Sequence, residues 1–295
     1  MEQVLTLGFL VSALAAAIAA GSAILFACLG ELLAERAGVL NLGVEGMMLM
    51  GAVAGVAITL GSGSPWLGAG AAVLAGAAMA SIHALLAVGL KANQVVSGLA
   101  LTLFGSGFSA FLGQPYVGLP LPASFGRVAV PLLADLPLLG PILFRQDPLV
   151  YLSYALVPGL WFFVYRTPPG LRLRACYVIV GGALAGLGGA AISLGTNPGW
   201  TEGMTAGRGW IAVALVIFAG WNPARAALGA YLFGGVEAGQ FRLQGVGVDV
   251  SPFFLSMLPY LFTILVLVLA TRPGARHRLG APAALGLPYQ REERG

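Results

Sequence analysis

Long uninterrupted apolar runs constrain this chain more than any other feature of its sequence. Runs of about twenty apolar residues recur along its length, and stretches such as LFTILVLVLA (261–270) show no alternation of polar and apolar positions. Hydrophobic residues make up 58% of the chain and charged residues 9%, whereas soluble domains carry roughly 25% charged residues. Because backbone polar groups in hydrocarbon must be satisfied within each span, the runs predict membrane helices rather than a barrel.

We expect an all-α integral membrane protein, a polytopic helical bundle of about 8–10 transmembrane helices with possible broken or re-entrant segments. The first run follows no basic region, which favours a first membrane helix over a cleavable signal, and it is long enough to contain a break. One transmembrane domain is expected over 1–275 and a cytoplasmic basic tail over 276–295. The predicted spans are 4–29, 39–60, 66–90, 95–113, 148–165, 176–194, 209–221, 223–240 and 252–270.

Lysine and arginine positions predict the orientation, because cytoplasmic loops of membrane proteins are enriched in both. With the C-terminus in the cytoplasm, eleven basic residues fall inside and four fall outside. The inside set is Arg36, Lys91, Arg166, Arg172, Arg174, Arg225, Arg272, Arg276, Arg278, Arg291 and Arg294, and the outside set is Arg127, Arg145, Arg208 and Arg242. The side of the N-terminus depends on the helix count and stays open.

Residue types that carry bond chemistry are scarce. The two cysteines, Cys28 and Cys176, lie in apolar runs, and the two histidines are too far apart for a zinc motif. A packing role is favoured over a proton relay for His83. No GxxxxGK[ST] loop occurs, so we expect no ATP, metal or other cofactor on this chain. The pattern indicates a transport subunit rather than an enzyme, and the net charge of +4 requires no nucleic-acid partner.

The longest segment outside the apolar runs is 114–147, which contains six prolines and little charge. Prolines at this density interrupt regular structure, and the segment is expected to face outward. It either covers the mouth of a pathway or meets an external partner, or it is a partly embedded cap without a direct role.

A second open question is whether the chain contains an internal repeat, since VEGMMLMGA (44–52) resembles TEGMTAGRG (201–209).

Asn41 and Glu45 form an unusual polar pair in an apolar span, in the stretch GVLNLGVEGMMLMGA (38–52). Their spacing of four places them on one helical face. A central charge costs roughly 2.5–3.5 kcal/mol on insertion scales, so such carboxylates usually face the bundle interior and have partners. Either the pair lines the pathway and hydrogen-bonds a hydroxyl-rich substrate, or Glu45 is structural and caps broken-helix backbone or pairs with Arg36. We favour the structural alternative.

Other polar residues in or near the spans are candidates of the same two kinds. Glu237 is a structural intramembrane charge, expected to pair with Arg225 or Arg242. Asn93 and Gln94 open a span, where a helix-start role competes with substrate contact. Trp200 and Glu202 lie in a Gly-rich outward segment, where the tryptophan belongs to an interfacial belt or stacks on a substrate ring.

Four motifs in order resemble permease subunits of bacterial ABC importers. They are ERAGVLNLGVEGMMLMGA (35–52), ANQVVSGLALTLFGSGFSAFLG (92–113), WTEGMTAGRGWIAVALVIFAGWNPARAALGAYLFGG (200–235) and MLPYLFTILVLVL (257–269). The resemblance is to the branched-chain amino acid and simple-sugar type, and within it to the nucleoside-type branch. It covers residues 20 to 275 and implies an inner-membrane permease that moves nucleosides or simple sugars by alternating access. An ion-coupled secondary transporter is the alternative.

The same resemblance implies several partners and one departure from the family. The expected partners are a second permease subunit, a cytoplasmic ATPase that binds the ATP, and an external substrate-binding lipoprotein. Relatives are expected to carry a coupling helix of some twenty residues after PPGLRLRA, but here that stretch runs directly into CYVIVGGALAGLGGA (176–190). Arg166, Arg172 and Arg174 would be the remnant of the coupling loop, and we expect poor coupling unless a loop near Lys91 or Arg225 replaces it.

Overall fold

The computed structural model describes residues 7–166, 174–245 and 250–270, together with 282 and 285. Helices dominate these residues, and six of the helices are long and apolar enough to cross a membrane. The helices are α1 Leu7–Arg36, α2 Val44–Ser62, α3 Pro65–Ala84, α4 Gln94–Gly113, α5 Leu139–Leu143, α6 Pro148–Arg166, α7 Arg174–Ala190, α8 Arg208–Ala219, α9 Pro223–Gly245 and α10 Pro252–Ala270. Wider π-helical turns extend α3 through Leu85–Gly89 and α7 through Ala191–Thr196. The predicted all-α membrane bundle is confirmed.

The predicted spans agree with these helices except at three places. The second helix begins at Val44 rather than at 39, α9 continues to Gly245 rather than ending at 240, and the first helix differs most. Helix α1 is continuous for 30 residues and ends at Arg36, so the prediction of an end at 29 and of a possible break was wrong. Apolar length alone placed the end before the first carboxylates, Glu31 and Glu35. Both are buried in the fold, because neighbouring elements supply partners for them.

Close approach between α1 and α7 defines the centre of the bundle. The backbones meet at Gly30 against Gly181, and a Cβ added to Gly188 would lie 2.7 Å from the carbonyl oxygen of Ala23. Because the contact moves backward along α1 as it moves forward along α7, the two helices run antiparallel. Small residues permit this approach, which is how helices associate tightly in membranes.

The remaining helices pack as two related halves. Helix α9 packs on α1 as α3 packs on α7. Helix α2 contacts α7, α3 and α4, and helix α8 correspondingly contacts α1, α9 and α10. Exchanging α1–α4 with α7–α10 leaves this set of contacts unchanged, so the fold contains a repeat. The sequence match that suggested it is displaced, however. Glu45 lies in the first turn of α2, whereas Glu202 is exposed in the turn that precedes α8.

Two helices begin inside the bundle rather than at its ends. Helices α2 and α8 enter from opposite ends, yet residues at the two N-termini are hydrogen-bonded to one another. Helix α8 has 12 residues and is therefore about 18 Å long, too short to cross a bilayer. The loops 37–43 and 197–207 are thus the re-entrant segments. Gly207, with φ of 77°, makes the turn into α8 that a side chain would strain.

The Pro-rich segment after α4 has little regular structure. It holds the two-residue strands β1 (Val128–Ala129) and β2 (Arg145–Gln146), paired antiparallel, and the short helix α5. Phe125 reaches down to α7, where its N–H donates to the carbonyl oxygen of Leu194 at 2.8 Å. This end of the bundle is called the loop end. The opposite end carries the turns 90–93 and 220–222.

Candidate functional site

Glu45 joins the two helix N-termini that meet inside the bundle. Its Oε1 accepts from the hydroxyl of Thr205 at 2.6 Å and from the N–H of Gly207 at 2.8 Å. Its Oε2 accepts from the N–H of Gly209 at 2.6 Å. A helix N-terminus carries partial positive charge and unpaired N–H groups. One carboxylate therefore caps α8 while lying in the first turn of α2, where its charge is also favourable.

These contacts are those of the structural alternative for Glu45, with the backbone of a broken helix as its partner. The other proposed partner, Arg36, donates instead to the carbonyl oxygen of Trp221 at 2.9 Å. Asn41 lies in the loop before α2, so the prediction that it shares a helical face with Glu45 was wrong. It is engaged locally. Its Oδ1 accepts from the N–H of Gly43 at 3.0 Å and its Nδ2 contacts the sulfur of Met47 at 3.4 Å.

Side chains from α3 and α4 fix the loop that leads into α2. The backbone of Leu40 is held at both groups, since its N–H donates to Oε1 of Gln94 at 2.8 Å and its carbonyl oxygen contacts Nε2 of His83 at 3.0 Å. The other ring nitrogen of His83 contacts the hydroxyl of Ser97 at 3.0 Å. The hydroxyl of Thr102 donates to the carbonyl oxygen of Leu42 at 2.7 Å. The re-entrant loop is therefore largely buried, and three side chains of α3 and α4 hold its backbone.

A cavity of about 570 Å³ lies beside this junction, between α1, α9, the end of α7 and the Pro-rich segment. Its size falls in the range of small-molecule sites. The lining combines charged, amide, hydroxyl and aromatic groups. Its polar and aromatic members are Phe125, Arg127, Gln146, Asp147, Thr196, Asn197, Arg208, Glu237, Phe241 and Arg242.

An ion pair between Arg208 and Glu237 forms one wall of the cavity. The guanidinium makes a two-pronged contact with the carboxylate, with Nε to Oε2 at 3.1 Å, and also donates to the carbonyl oxygens of Met204 and Thr205. The prediction that Glu237 pairs with Arg225 or Arg242 was therefore wrong. Arg225 is exposed, whereas Arg208 is brought to Glu237 because α8 begins inside the bundle, level with the middle of α9.

Asp147 contributes a second carboxylate to the cavity. Its Oδ1 caps α6 by accepting from the N–H groups of Leu149 at 2.9 Å and Val150 at 3.1 Å. Burial raises the pKa of Asp147 above its ordinary value, and the two backbone hydrogen bonds and the nearby Arg127 oppose that shift. Next to it, Nε2 of Gln146 donates to the carbonyl oxygen of Ala15 at 3.0 Å, which ties the cavity floor to α1.

The sequence-predicted pathway residues lie apart from this cavity. Asn41, Glu45, Asn93, Gln94, Trp200 and Glu202 are not among its lining residues. Trp200 is 2% exposed and its indole packs against Gly113. Asn93 caps α4, with its Oδ1 accepting from Val95 and Val96. A pathway role for these six residues stays a prediction.

The predicted remnant of the coupling loop is only partly described. Arg166 is exposed in the last turn of α6, and Arg174 is buried in the first turn of α7. Arg172, the loop around it and nearly all of the basic tail lie outside the described residues.

Sequence reasoning missed several residues of the site. Asp147 directly precedes a proline-initiated helix, so an N-cap could have been read from Asp-Pro. Arg208 was seen but given no partner. Outside the site, Glu31 and Glu35 were also overlooked, because the first span was ended too early.

Comparisons with known proteins place the chain among transport permeases. A family model described as branched-chain amino acid transport system, permease component, matches residues 13–177 and 173–271. The chain is similar to the putative glucose ABC transporter permease of Haloferax volcanii, at 40% identity over 97% of this chain and 99% of that protein. It is similar to the guanosine ABC transporter permease of Bacillus subtilis, at 32% identity over 92% and 94%. It is also similar to the nucleoside ABC transporter permease of Lactococcus lactis, at 33% identity over 83% and 88%. No solved structure matches.

The matches also bear on the predicted deletion. The family model matches in two pieces that meet at residues 173–177, which is the expected position of the missing loop. The alignments with the first two relatives extend over 328 and 308 positions, more than the 295 residues of this chain. Those relatives therefore carry residues for which this chain has no counterpart.

Proposed function

This chain belongs to the family of permease components of branched-chain amino acid transport systems, and from that membership we propose that it imports nucleosides or simple sugars. It is a multi-pass membrane permease, a transport subunit of an ATP-driven importer. Alternating access would carry the substrate across, biased by ATP on a partner subunit. The family match favours this mechanism over the ion-coupled alternative.

The proposed orientation puts the loop end outside the bacterial inner membrane and the C-terminus in the cytoplasm. Its support is the distribution of lysine and arginine, eleven inside against four outside. In that orientation the 570 Å³ cavity lies toward the external face. Substrate would arrive there from an external binding lipoprotein, and the Pro-rich segment above the cavity would be the surface that meets it. A second permease subunit would complete the pathway.

The proposed substrate class rests on the chemistry of the side chains that line the cavity. Gln146, Thr196 and Asn197 offer donors and acceptors suited to sugar hydroxyls. Phe241, 60% exposed, adds an aromatic ring to the same lining, and such a ring suits a nucleobase or the apolar side of a pyranose. Arg208 and Glu237 neutralise each other, Arg127 lies close enough to Asp147 to interact with its charge, and Arg242 is hydrogen-bonded to Ser12. A neutral, hydroxyl-rich substrate fits this lining.

Competition uptake tests the proposal. The chain would be expressed with its partner subunits in cells that lack endogenous nucleoside and glucose uptake, and entry of labelled guanosine and labelled glucose would be measured. We expect ATP-dependent uptake that unlabelled nucleosides or sugars suppress and that collapse of ion gradients leaves intact. Uptake that follows the ion gradient, or that neither class suppresses, would contradict the proposal.

A matched pair of variants links transport to the cavity. Asn197→Ala removes an amide that lines the cavity, whereas Gln244→Ala removes an exposed amide on α9 outside it. We expect Asn197→Ala to raise the apparent KM for uptake about tenfold, consistent with the loss of one substrate hydrogen bond. Equal kinetics for the two variants would remove the cavity as the substrate site.

We further propose that the shortened loop after Arg166 weakens coupling to the ATPase. The two-part family match supports this, because its pieces meet at residues 173–177, where the coupling loop is expected. The test is substrate-stimulated ATPase activity of the assembled complex, with and without a loop grafted from a longer relative. We expect the graft to restore stimulation. Full stimulation without the graft would overturn the proposal and point to the turns near Lys91 or Arg225 as the docking surface.

A further inference from the structure

Glu31 and Glu35 lie one turn apart on α1 and are both 1% exposed. Neither lines the cavity, and neither takes part in the Glu45 junction. Carboxyl groups are almost never fully buried without a partner, so this pair requires an explanation that transport of a neutral substrate does not supply.

Each carboxyl has one oxygen with a donor and one without. Oε1 of Glu31 accepts from the N–H of Asn41 at 2.9 Å, and Oε2 of Glu35 accepts from the indole N–H of Trp221 at 2.6 Å. The second oxygen of each, Oε2 of Glu31 and Oε1 of Glu35, is buried and has no donor within the described part of the chain. The spacing of four residues places the two side chains on one face of α1, so the two orphan oxygens belong to neighbouring carboxyl groups.

Among the ion pairs of the described residues, none joins Glu31 or Glu35 to a basic side chain. Arg36, next along α1, is directed away, and its guanidinium donates to the carbonyl oxygen of Trp221 and to the hydroxyl of Tyr165. Arg225, in the first turn of α9, is exposed. The other titratable or charged groups on neighbouring elements are Cys28 on α1, Arg174 and Tyr177 on α7 and Arg166 at the end of α6.

Electrostatics then decides the protonation of the pair. Two like charges one turn apart in a buried site repel strongly, and burying even one carboxylate without water is costly. Two neutral acids would also be unfavourable, because the two donors, Asn41 and Trp221, each favour a charged acceptor. A single proton shared by the two groups avoids both the repulsion between two carboxylates and the loss of a charged acceptor. The protonated carboxyl then donates a hydrogen bond to the orphan oxygen of the ionised one.

We propose that Glu31 and Glu35 share a single proton and form a buried acid–carboxylate pair that fastens α1 to the start of α2 and to the corner between α8 and α9. Through Asn41 the pair holds the re-entrant loop, and through Trp221 it holds a corner in which Gly220 and Trp221 both have positive φ. Removing the shared proton places two charges in the junction and loosens it, so the fastening weakens in alkaline solution.

The first test is infrared difference spectroscopy on the full chain in lipid nanodiscs. A carboxylic acid C=O stretch, sensitive to deuterium exchange, is expected at neutral pH and is expected to disappear in Glu31→Gln and in Glu35→Gln. Glu202→Gln, which changes an exposed glutamate, is the matched control and should keep the band. Absence of the band in the wild type, or its persistence in both single variants, would overturn the shared proton.

The second test uses stability, because a glutamine amide reproduces the donor of the acid permanently. We expect the unfolding midpoint of the wild type and of Glu202→Gln to fall as the pH is raised into the alkaline range. Glu35→Gln should lose that fall while keeping the midpoint of the wild type at neutral pH. A fall of equal size in Glu35→Gln would contradict the proposal. A second result would also contradict the proposal: an unfolding midpoint of the wild type alone that rises when sodium or potassium is added at constant ionic strength. That result would mean that a metal cation, rather than a proton, occupies the site.

Discussion

Replacing Glu45 tests whether one carboxylate holds two helix N-termini together. It accepts three hydrogen bonds, two of them from backbone N–H groups at the start of α8. Hydrogen bonds to a charged group contribute about 1.5–3 kcal/mol each, and an orphaned buried donor costs about 1–3 kcal/mol. Because these terms are not additive, we expect Glu45→Ala to destabilise the fold by about 4 kcal/mol and Glu45→Gln, which keeps one acceptor, by about 2 kcal/mol.

The assay is unfolding of the purified chain in mixed micelles by stepwise addition of a denaturing detergent, followed by tryptophan fluorescence. Glu202→Gln is the matched control, since Glu202 is exposed in the turn before α8. A surface change of this kind should stay within about 0.5 kcal/mol of the wild type. Thr205→Val adds a graded comparison, because it removes the hydroxyl donor at 2.6 Å and leaves both backbone donors in place.

The result that would refute the reasoning is a Glu45→Gln variant as stable as Glu202→Gln. The capping contacts would then contribute nothing measurable to stability, and the pathway alternative for Asn41 and Glu45 would be favoured instead. The converse measurement is transport by a relative with a complete coupling loop. If Glu45→Gln leaves that transport unchanged, the carboxylate is not a substrate ligand.

Three further perturbations follow from the packing and the charges. A Cβ at Gly189 would clash with the carbonyl oxygen of Met48, so Gly189→Ala should destabilise the bundle by about 2 kcal/mol or prevent folding, seen as loss of monodisperse protein. Burial raises the pKa of Asp147 in the folded state above its unfolded value. The free energy of unfolding should therefore fall as the pH rises from about 3.9 through the folded pKa. The Asp147→Asn variant should not show that fall. Arg208→Glu leaves like charges facing each other and should cost about 3–5 kcal/mol, while adding Glu237→Arg should recover part of it.

Each of these has a control and a contradicting outcome. Gly107→Ala on α4 meets nothing within 4 Å and should be neutral or slightly stabilising, so equal loss in both glycine variants would remove the packing argument. Asp135→Asn changes an exposed carboxylate and should keep the acid dependence of the wild type. No recovery in the Arg208→Glu, Glu237→Arg double variant would show that the attraction between the two charges is a minor part of that wall.

The positions of the membrane helices could be predicted from the sequence because they depend on local composition. Nine of the helices follow the nine apolar runs, since each span must satisfy its own backbone and bury its side chains in lipid or in neighbours. The family followed from long motifs in order, and the prediction of a shortened coupling loop rests on two motifs that adjoin here. These features are continuous along the chain, so no tertiary information was needed.

The partners of the buried charges were decided by the tertiary structure alone. Glu45 meets Thr205 across 160 residues of sequence, and Trp221 meets Glu35 across 186. The arginine that pairs with Glu237 is determined by the depth in the bundle at which α8 begins. Helix α8 begins inside the bundle because Gly207 turns the chain there and Glu45 caps the helix N-terminus. Composition shows that a carboxylate in a membrane helix requires a partner. Which donors lie at the same depth in the bundle depends on how the two antiparallel central helices pack against each other. Contacts between glycines set the relative position of these helices, and the glycines are far apart in sequence, so no local pattern predicts it.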